Sequence, residues 1–458
     1  MISSSVPELN PDLMDIVRLF PEAEELDLFH AFGKDFHQSV FQIGGREYAF
    51  NEAPVRAGEE REYDERTLAK RYAKLALYRL LSSLFQRRLP WGALTGIRPT
   101  KLAYRERERG HDELPLLRAM GVSEENISLL RRVMKTQEGI YEKREANCDL
   151  YVSLPFCPTR CSYCSFITAP ISSTRQYMRE YLDCLSRELE GAKPLIKNLR
   201  SVYVGGGTPF VLEAEELEKV FRMIAPLRTN GCEYTVEAGR ADVFTTEKLD
   251  LCKRYGVTRI CINAQSFCDK TLERIGRKHT GGDVVRAFEM AKPYGFTVNC
   301  DLIAGLTGES AEEFSESVDE AIALRPENIT VHTLCLKKGA KLKEETAALK
   351  DEGLAEMIAC SREKLTQAGY EPYYLYRQKY MAGAHENVGW TKKGFASVYN
   401  IDVMEETTDN LAVGANAISK RVVTEGNGKI VRVASPKDIP SYLNKTDTLI
   451  EEKNRLFK

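Results

Sequence analysis

From Leu150 onward the chain alternates short apolar runs with longer amphipathic ones, and no other feature constrains its fold as much. Strand-like runs are predicted at 150–154, 201–204, 233–237, 259–263, 297–303 and 328–333. Helix-like runs separate them, near residues 173–192, 214–227, 246–255, 282–294 and 310–324. Ser310 and Glu313 form a capping-box signature at the start of the last of these. A strand, a helix and a strand in succession require a crossover, so the strands run parallel and the helices cover the sheet. The expected fold class is α/β: a closed or partial (β/α)6 TIM-type barrel over residues 146–340, with its chemistry at the C-terminal ends of the strands.

The flanking segments have a different texture, and 458 residues exceed what one ordinary core serves. Residues 1–145 read as an N-terminal α+β domain with no chemical motif of its own. It has alternating pieces at 40–43 and 47–50 and a basic helix from about residue 65 to 88, with Leu75, Leu77, Tyr78, Leu81 and Leu84 at helical spacing. WGALTGIRPTK, from Trp91 to Lys101, reads as a loop punctuated by Gly92, Gly96 and Pro99, and two short helices are expected within 113–144. Residues 341–458 read as a C-terminal cap or subdomain, with a long helix at 342–368, then Tyr373–Tyr380, a Gly-rich stretch and Asp409–Lys420. Lys plus Arg total 65 against 67 Asp plus Glu, which argues against a nucleic-acid binder held by phosphate contacts. No apolar run approaches the length of a membrane span, and the first thirty residues lack the charge and apolar pattern of a signal peptide, so a cytoplasmic protein is expected.

The most specific motif is Cys157-Pro-Thr-Arg-Cys161-Ser-Tyr-Cys164, a C-x3-C-x2-C spacing directly after the first predicted strand. Thiolates are soft ligands that suit iron–sulfur clusters or zinc. Zinc sites usually come as two C-x2-C pairs or with histidine partners, and neither lies nearby. A four-iron cluster ordinarily takes four thiolates. Three close thiolates without an obvious fourth leave one iron open to an amine and a carboxylate of a small molecule. The other nine of the 12 cysteines are scattered, as buried core thiols would be. Gly205-Gly206-Gly207-Thr208-Pro209 follows the second strand, where glycines allow close backbone approach or a simple turn.

YVSLPFCPTRCSYCSF, YVGGGTPF, TVEAG, INAQSF, IGRKHTGGD and NCDLIAGL together resemble the radical S-adenosylmethionine (SAM) superfamily, and within it the oxygen-independent coproporphyrinogen III oxidase (coproporphyrinogen dehydrogenase) group. WGALTGIRPTK, YYLYRQKYMAG and ENVGW are similar to its HemZ branch. The resemblance implies a 4Fe–4S cluster on Cys157, Cys161 and Cys164, with SAM at the open iron. It implies SAM contacts from Tyr151, Tyr163, Gly206, Gly207, Thr208, Glu237, Gln265, Arg277 and Asp301, Arg277 pairing with the SAM carboxylate. It further implies oxidative decarboxylation of coproporphyrinogen III propionates to vinyls, with electrons from a reduced flavodoxin- or ferredoxin-type donor. A substrate with several propionates needs cations. Arg240, Arg259, Lys278 and His279 are read near the same end, Lys278 more simply as solvated surface, with Arg240 and Glu237 as the catalytic candidates.

Two features keep other readings open. The oxidase branch carries a further Cys two residues after the last cluster ligand, where this chain has Phe166. The related heme-chaperone branch also has an aromatic there and carries a His-Asn-x-x-Tyr-Trp-type motif. His385-Glu-Asn387-Val-Gly-Trp390 matches that motif in part and reads more simply as a structural turn. A heme chaperone, or a radical SAM enzyme acting on another tetrapyrrole or heme, is therefore the alternative. His332 is read as a satisfied residue of the barrel interior.

Overall fold

The computed structural model describes residues 2–96, 98–144, 146–164, 169–335, 353–378, 381–423 and 430–458. Phe166 and most of the first half of the helix expected at 342–368 lie outside the described residues. Two compact units divide the chain: one runs through Arg132 and adds Tyr376–Glu386, and the other holds Val133–Leu375 and Asn387–Lys458.

The first unit carries a sheet in the order β1 (Ile2–Ser4), β2 (Leu28–Phe32), β3 (Gln38–Ile43), β4 (Arg46–Asn51). His30 lies buried in it between Ser4 Oγ at 2.8 Å and Ser39 Oγ at 3.3 Å. Helix α1 (Asn10–Val17) packs on α2 (Glu65–Leu84), which Asp64 caps by accepting from the Thr67 amide at 2.8 Å. The α2 helix ends four residues before the expected 88, because Gln86 adopts a left-handed φ of 49°. Pro99 starts a third helix, α3 (Pro99–Glu108), inside the stretch read as a loop. Proline at the first helical turn costs no hydrogen bond, so it opens a helix there rather than breaking one. Helices α4 (Leu114–Ala119) and α5 (Glu124–Thr136) follow.

The second unit is built on one sheet. Its central strands are β5 (Asn147–Leu154), β6 (Asn198–Gly206), β7 (Glu233–Gly239), β8 (Arg259–Gln265), β9 (Thr297–Ala304) and β10 (Asn328–Thr333), all parallel and in chain order. Helices α6 (Met178–Ala192), α7 (Ala214–Ile224), α8 (Thr246–Arg254), α9 (Gly281–Ala291) and α10 (Ala311–Ala323) alternate with them. The capping box at Ser310 and Glu313 is formed, with reciprocal bonds of 3.2 and 3.0 Å. Val152, Val204, Val236, Ile260, Leu302 and Ile329 are fully buried, as expected where helices cover a parallel sheet. Each such side chain contributes about 1.5–3 kcal/mol of apolar burial.

The chain after residue 341 differs from a separate cap. Helix α11 (Leu354–Gln367) is followed by β11 (Glu371–Tyr376) and β12 (Asn387–Thr391), β12 pairing antiparallel with β10. Strand β13 (Asp409–Val413) then returns across the sheet and pairs parallel with β5, Leu411 opposite Leu150. Strands β14 (Ile418–Val422) and β15 (Ile430–Ala434) complete an 11-stranded sheet, and α12 (Ile439–Phe457) packs on α6. The physical reason is the unpaired edge of β5, which the later strand satisfies. Among the described residues no helix is long and apolar enough to cross a membrane.

Candidate active site

Strand β5 delivers the chain to the cysteine loop, and the end of β6 packs directly against it. The Gly207 amide donates to Leu154 O and the Thr208 amide to Phe156 O, each at 2.8 Å. A Cβ on Gly207 would stand 2.4 Å from Phe156 O, so only glycine lets these backbones meet. Gly206 has a φ of 103°, a conformation that L side chains rarely adopt. The N–H groups of Gly207 and Thr208 are thus engaged, and what this loop can offer an ammonium group is carbonyl oxygen. Thr208 Oγ1 lies 3.5 Å from Cys157 Sγ.

The rest of the loop is held by the turn before Arg277. The Ser162 amide donates to Ile275 O at 3.0 Å, and the Thr159 hydroxyl to Gly276 O at 3.1 Å. Tyr163 packs on Leu272, Ile275, Ile303, Leu306 and Leu334. Arg277 is 8% exposed and donates to Asn263 O and, at 3.1 Å, to Tyr163 Oη. Burial works against the charge of its guanidinium. Tyr163 and Cys161 beside it outweigh burial and hold its pKa above the ordinary value.

Inside the barrel mouth the side chains are polar and partly aromatic. Glu237 accepts from Tyr203 Oη at 2.6 Å. Burial, with Asp301 nearby, pushes its carboxyl up to about 7. Burial also works to raise Asp301, yet His332 at 3.8 Å and the Asn299 amide at 2.7 Å carry it below the usual range. His332 thus faces the interior, partnered to Asp301. Tyr151, Tyr203 and Tyr399 stack, with ring centroids 4.5 Å apart for Tyr203 and Tyr399 and 6.1 Å for Tyr151 and Tyr203. Gln265 ends β8 with a left-handed φ of 70°, the kind of backbone strain that clusters at binding sites.

Asn263 Oδ1, Gln265 Oε1 and Arg277 Nε are buried without a hydrogen-bond partner; the first two belong to the C-terminal end of β8, and Arg277 follows the short helix Asp269–Arg274 beyond it. Orphaned polar atoms beside a thiol loop fit a site that takes a polar ligand. Cys157, Cys161 and Cys164 form no disulfide. Among the described residues, no three His, Cys, Asp or Glu side chains converge as ligands of a single metal ion, which a cluster does not require, since each thiolate takes its own iron.

Other residues that the sequence singles out are displaced, engaged or exposed. Arg259 begins β8 and so lies at the opposite end of the sheet from the cysteines, bonded to Glu233, Asn328 and Phe395 O. Lys278 is exposed. Arg240 is 2% exposed and engaged by Asp242 and Thr159, so it is not offered to a substrate. His385 is 8% exposed and Trp390 1%, and Trp390 pairs in β12 with Ile329 of β10. Sequence reading passed over Tyr203, Asn263 and Tyr399. Tyr203 could have been found by counting two residues back from Gly205 along one strand face, whereas Tyr399 arrives from a distant helix.

Residues 151–321 match the Radical SAM superfamily. The chain is 35% identical over 384 residues to the oxygen-independent coproporphyrinogen-III oxidase-like protein HemZ of Bacillus subtilis, a match spanning 79% of this chain and 76% of that protein. It is 29% identical over 314 residues to the heme chaperone HemW of Haemophilus influenzae, over 67% of this chain and 78% of that one. Coproporphyrinogen III oxidase (HemN) from Escherichia coli, a radical SAM enzyme, shares the fold with a TM-score of 0.54 and 20% identity, over 69% of this chain and 72% of that one. The chain belongs to the radical SAM superfamily and, within it, to the family of the coproporphyrinogen-III oxidase-like HemZ protein. Membership implies a 4Fe–4S cluster and SAM as cofactors, as the motifs led one to expect.

Proposed function

We propose that this protein is a radical SAM oxidoreductase of the cytoplasm that oxidatively decarboxylates two propionates of coproporphyrinogen III to vinyls, giving protoporphyrinogen IX. The likeness to HemZ, which runs over most of both chains, carries the reading. When bound, the cluster and SAM would supply a 5′-deoxyadenosyl group able to take a hydrogen atom from a propionate, which becomes a vinyl on losing carbon dioxide and passing one electron to a separate one-electron acceptor. Cys157, Cys161 and Cys164 would hold the cluster, with a flavodoxin- or ferredoxin-type protein reducing it. Carbonyls of the Gly206–Gly207 turn meet the SAM ammonium, and Thr208 keeps Cys157 in place. Arg277 meets the SAM carboxylate, and its unpartnered Nε is one donor left for it. Glu237, Gln265 and Asp301 accept from the ribose or the ammonium, with Tyr151 and Tyr163 flanking the adenosyl group. Excluding water and orienting the propionate fall to the same barrel mouth.

The test is anaerobic. The protein is reconstituted with iron and sulfide, then given a reductant, SAM and coproporphyrinogen III, with 5′-deoxyadenosine and tetrapyrrole mass followed together. Substrate-dependent deoxyadenosine with stepwise loss of carbon dioxide is the expected result. SAM cleavage with no change in porphyrinogen mass would overturn the decarboxylase. The likeness to HemW favours heme delivery as the second reading, marked by heme binding that His385→Ala abolishes. A mass change in added heme would instead point to another tetrapyrrole.

A further inference from the structure

The sequence casts Arg240 as a cation for a propionate. The structure gives it other work. Strand β7 ends at Gly239, whose left-handed φ of 78° turns the chain so that Arg240 lies against the cysteine loop. Its Nε and Nη2 form a fork on Asp242, at 2.9 and 2.6 Å. Its Nη1 donates to Thr159 Oγ1, two residues beyond Cys157 and two before Cys161. That same hydroxyl donates onward to Gly276 O at 3.1 Å. One chain of hydrogen bonds therefore joins the end of β7, the thiol loop and the turn that leads into Arg277. With only 2% of its surface accessible, Arg240 has almost nothing left to present to a ligand.

We infer that Arg240 is a positioning residue for the cysteine loop: through Thr159 it sets the spacing of Cys157 and Cys161, and with it the stability and electronic environment of the group they hold. The inference rests on the reading of those cysteines as cluster ligands. Groups that orient metal ligands without touching the metal typically change affinity by about 10–100-fold when removed. A bidentate guanidinium fork is the feature that lysine cannot reproduce, so charge and geometry can be separated.

The test uses the full chain, anaerobically reconstituted, as wild type, Arg240→Ala, Arg240→Lys, Thr159→Val and the Arg240→Ala/Thr159→Val double variant. Thr159→Val leaves the Arg240–Asp242 pair intact and removes the relay hydroxyl, with its bonds to both Arg240 and Gly276 O, so the loop side is tested even where Arg240→Ala folds poorly. Iron and sulfide per chain, the rate of cluster loss in air, the electron paramagnetic resonance line shape and the midpoint potential are measured. Thr159→Val and both Arg240 variants should lose the cluster about tenfold faster or more, with an altered line shape, and the double variant should be no worse than Thr159→Val, because Arg240 acts on the loop through that hydroxyl. Wild-type iron content, line shape and potential in all variants, with Arg240→Ala raising only the KM for the porphyrinogen, would overturn the inference and restore Arg240 as a substrate contact. A wild-type chain that takes up no cluster would overturn the reading of the cysteines and this inference with it.

Discussion

At the scale of single residues, the site depends on how burial retunes ordinary side chains. Glu237, which the sequence casts as a SAM contact, lies in the barrel mouth, and burial moves its pKa to about 7. The raised value has a definite sign. Below pH 7 the group is neutral, and above it the carboxylate accepts hydrogen bonds at full strength. SAM affinity, read by equilibrium dialysis of the reconstituted protein, should therefore rise between pH 6 and pH 8. Glu237→Gln should flatten that profile and weaken binding at pH 8 by ten- to a hundredfold, the loss of a hydrogen bond to a charged group worth about 1.5–3 kcal/mol. An unchanged pH dependence in the variant would show that another group governs binding.

At the scale of elements, two predictions concern where strands and helices begin and end. Ser310→Ala removes the cap of α10 and should cost about 1 kcal/mol, seen as a lower urea midpoint with cluster content unaffected. The turn after β6 is less tolerant. Gly207→Ala would place a Cβ 2.4 Å from Phe156 O and 2.9 Å from Leu154 O, both backbone atoms. The segment leading into Cys157 must then move, so iron incorporation should fall sharply. Gly205→Ala is the control, since its Cβ would meet the side chains of Tyr203 at 3.0 Å and Glu237 at 3.2 Å, which can give way. Equal iron content in the two variants would count against the Gly207 turn as the support of the loop.

At the scale of the whole molecule, the return of β13 to the edge of β5 ties the sheet together, and Asp149 sits at that seam. It is fully buried and accepts from Ser201 and from Thr408 Oγ1 at 2.7 Å, on the approach to β13. Burial, then the nearby Asp402, raises its pKa well above the ordinary value. A carboxyl raised on folding gives its full stability below its unfolded pKa of about 3.9 and loses it as pH climbs toward the raised value. Asp149→Asn does not ionise, and its amide accepts from one hydroxyl through Oδ1 while Nδ2 donates to the other. Its melting temperature should exceed that of the wild type at pH 8, with the gap closing toward pH 5. A variant less stable than the wild type at both pH values would mean that the ionised carboxylate is needed.

Local sequence was enough to establish the order of the six central strands and their helices, the cap at Ser310 and the thiol spacing. Each of these is written in residues a few positions apart, where apolar period and ligand spacing act without help from distant chain. Pro99 marks the limit of such local reading, because a proline opens a helix or punctuates a loop according to the residues on its C-terminal side. Long-range packing settled the rest: that the last quarter of the chain completes the sheet, that Tyr399 stacks on Tyr203, and that Arg240 is spent on Thr159, 81 residues earlier in the chain. Those outcomes depend on which edge is left unpaired and which charges are shut away from water, and both are fixed only when residues far apart in the chain are packed together.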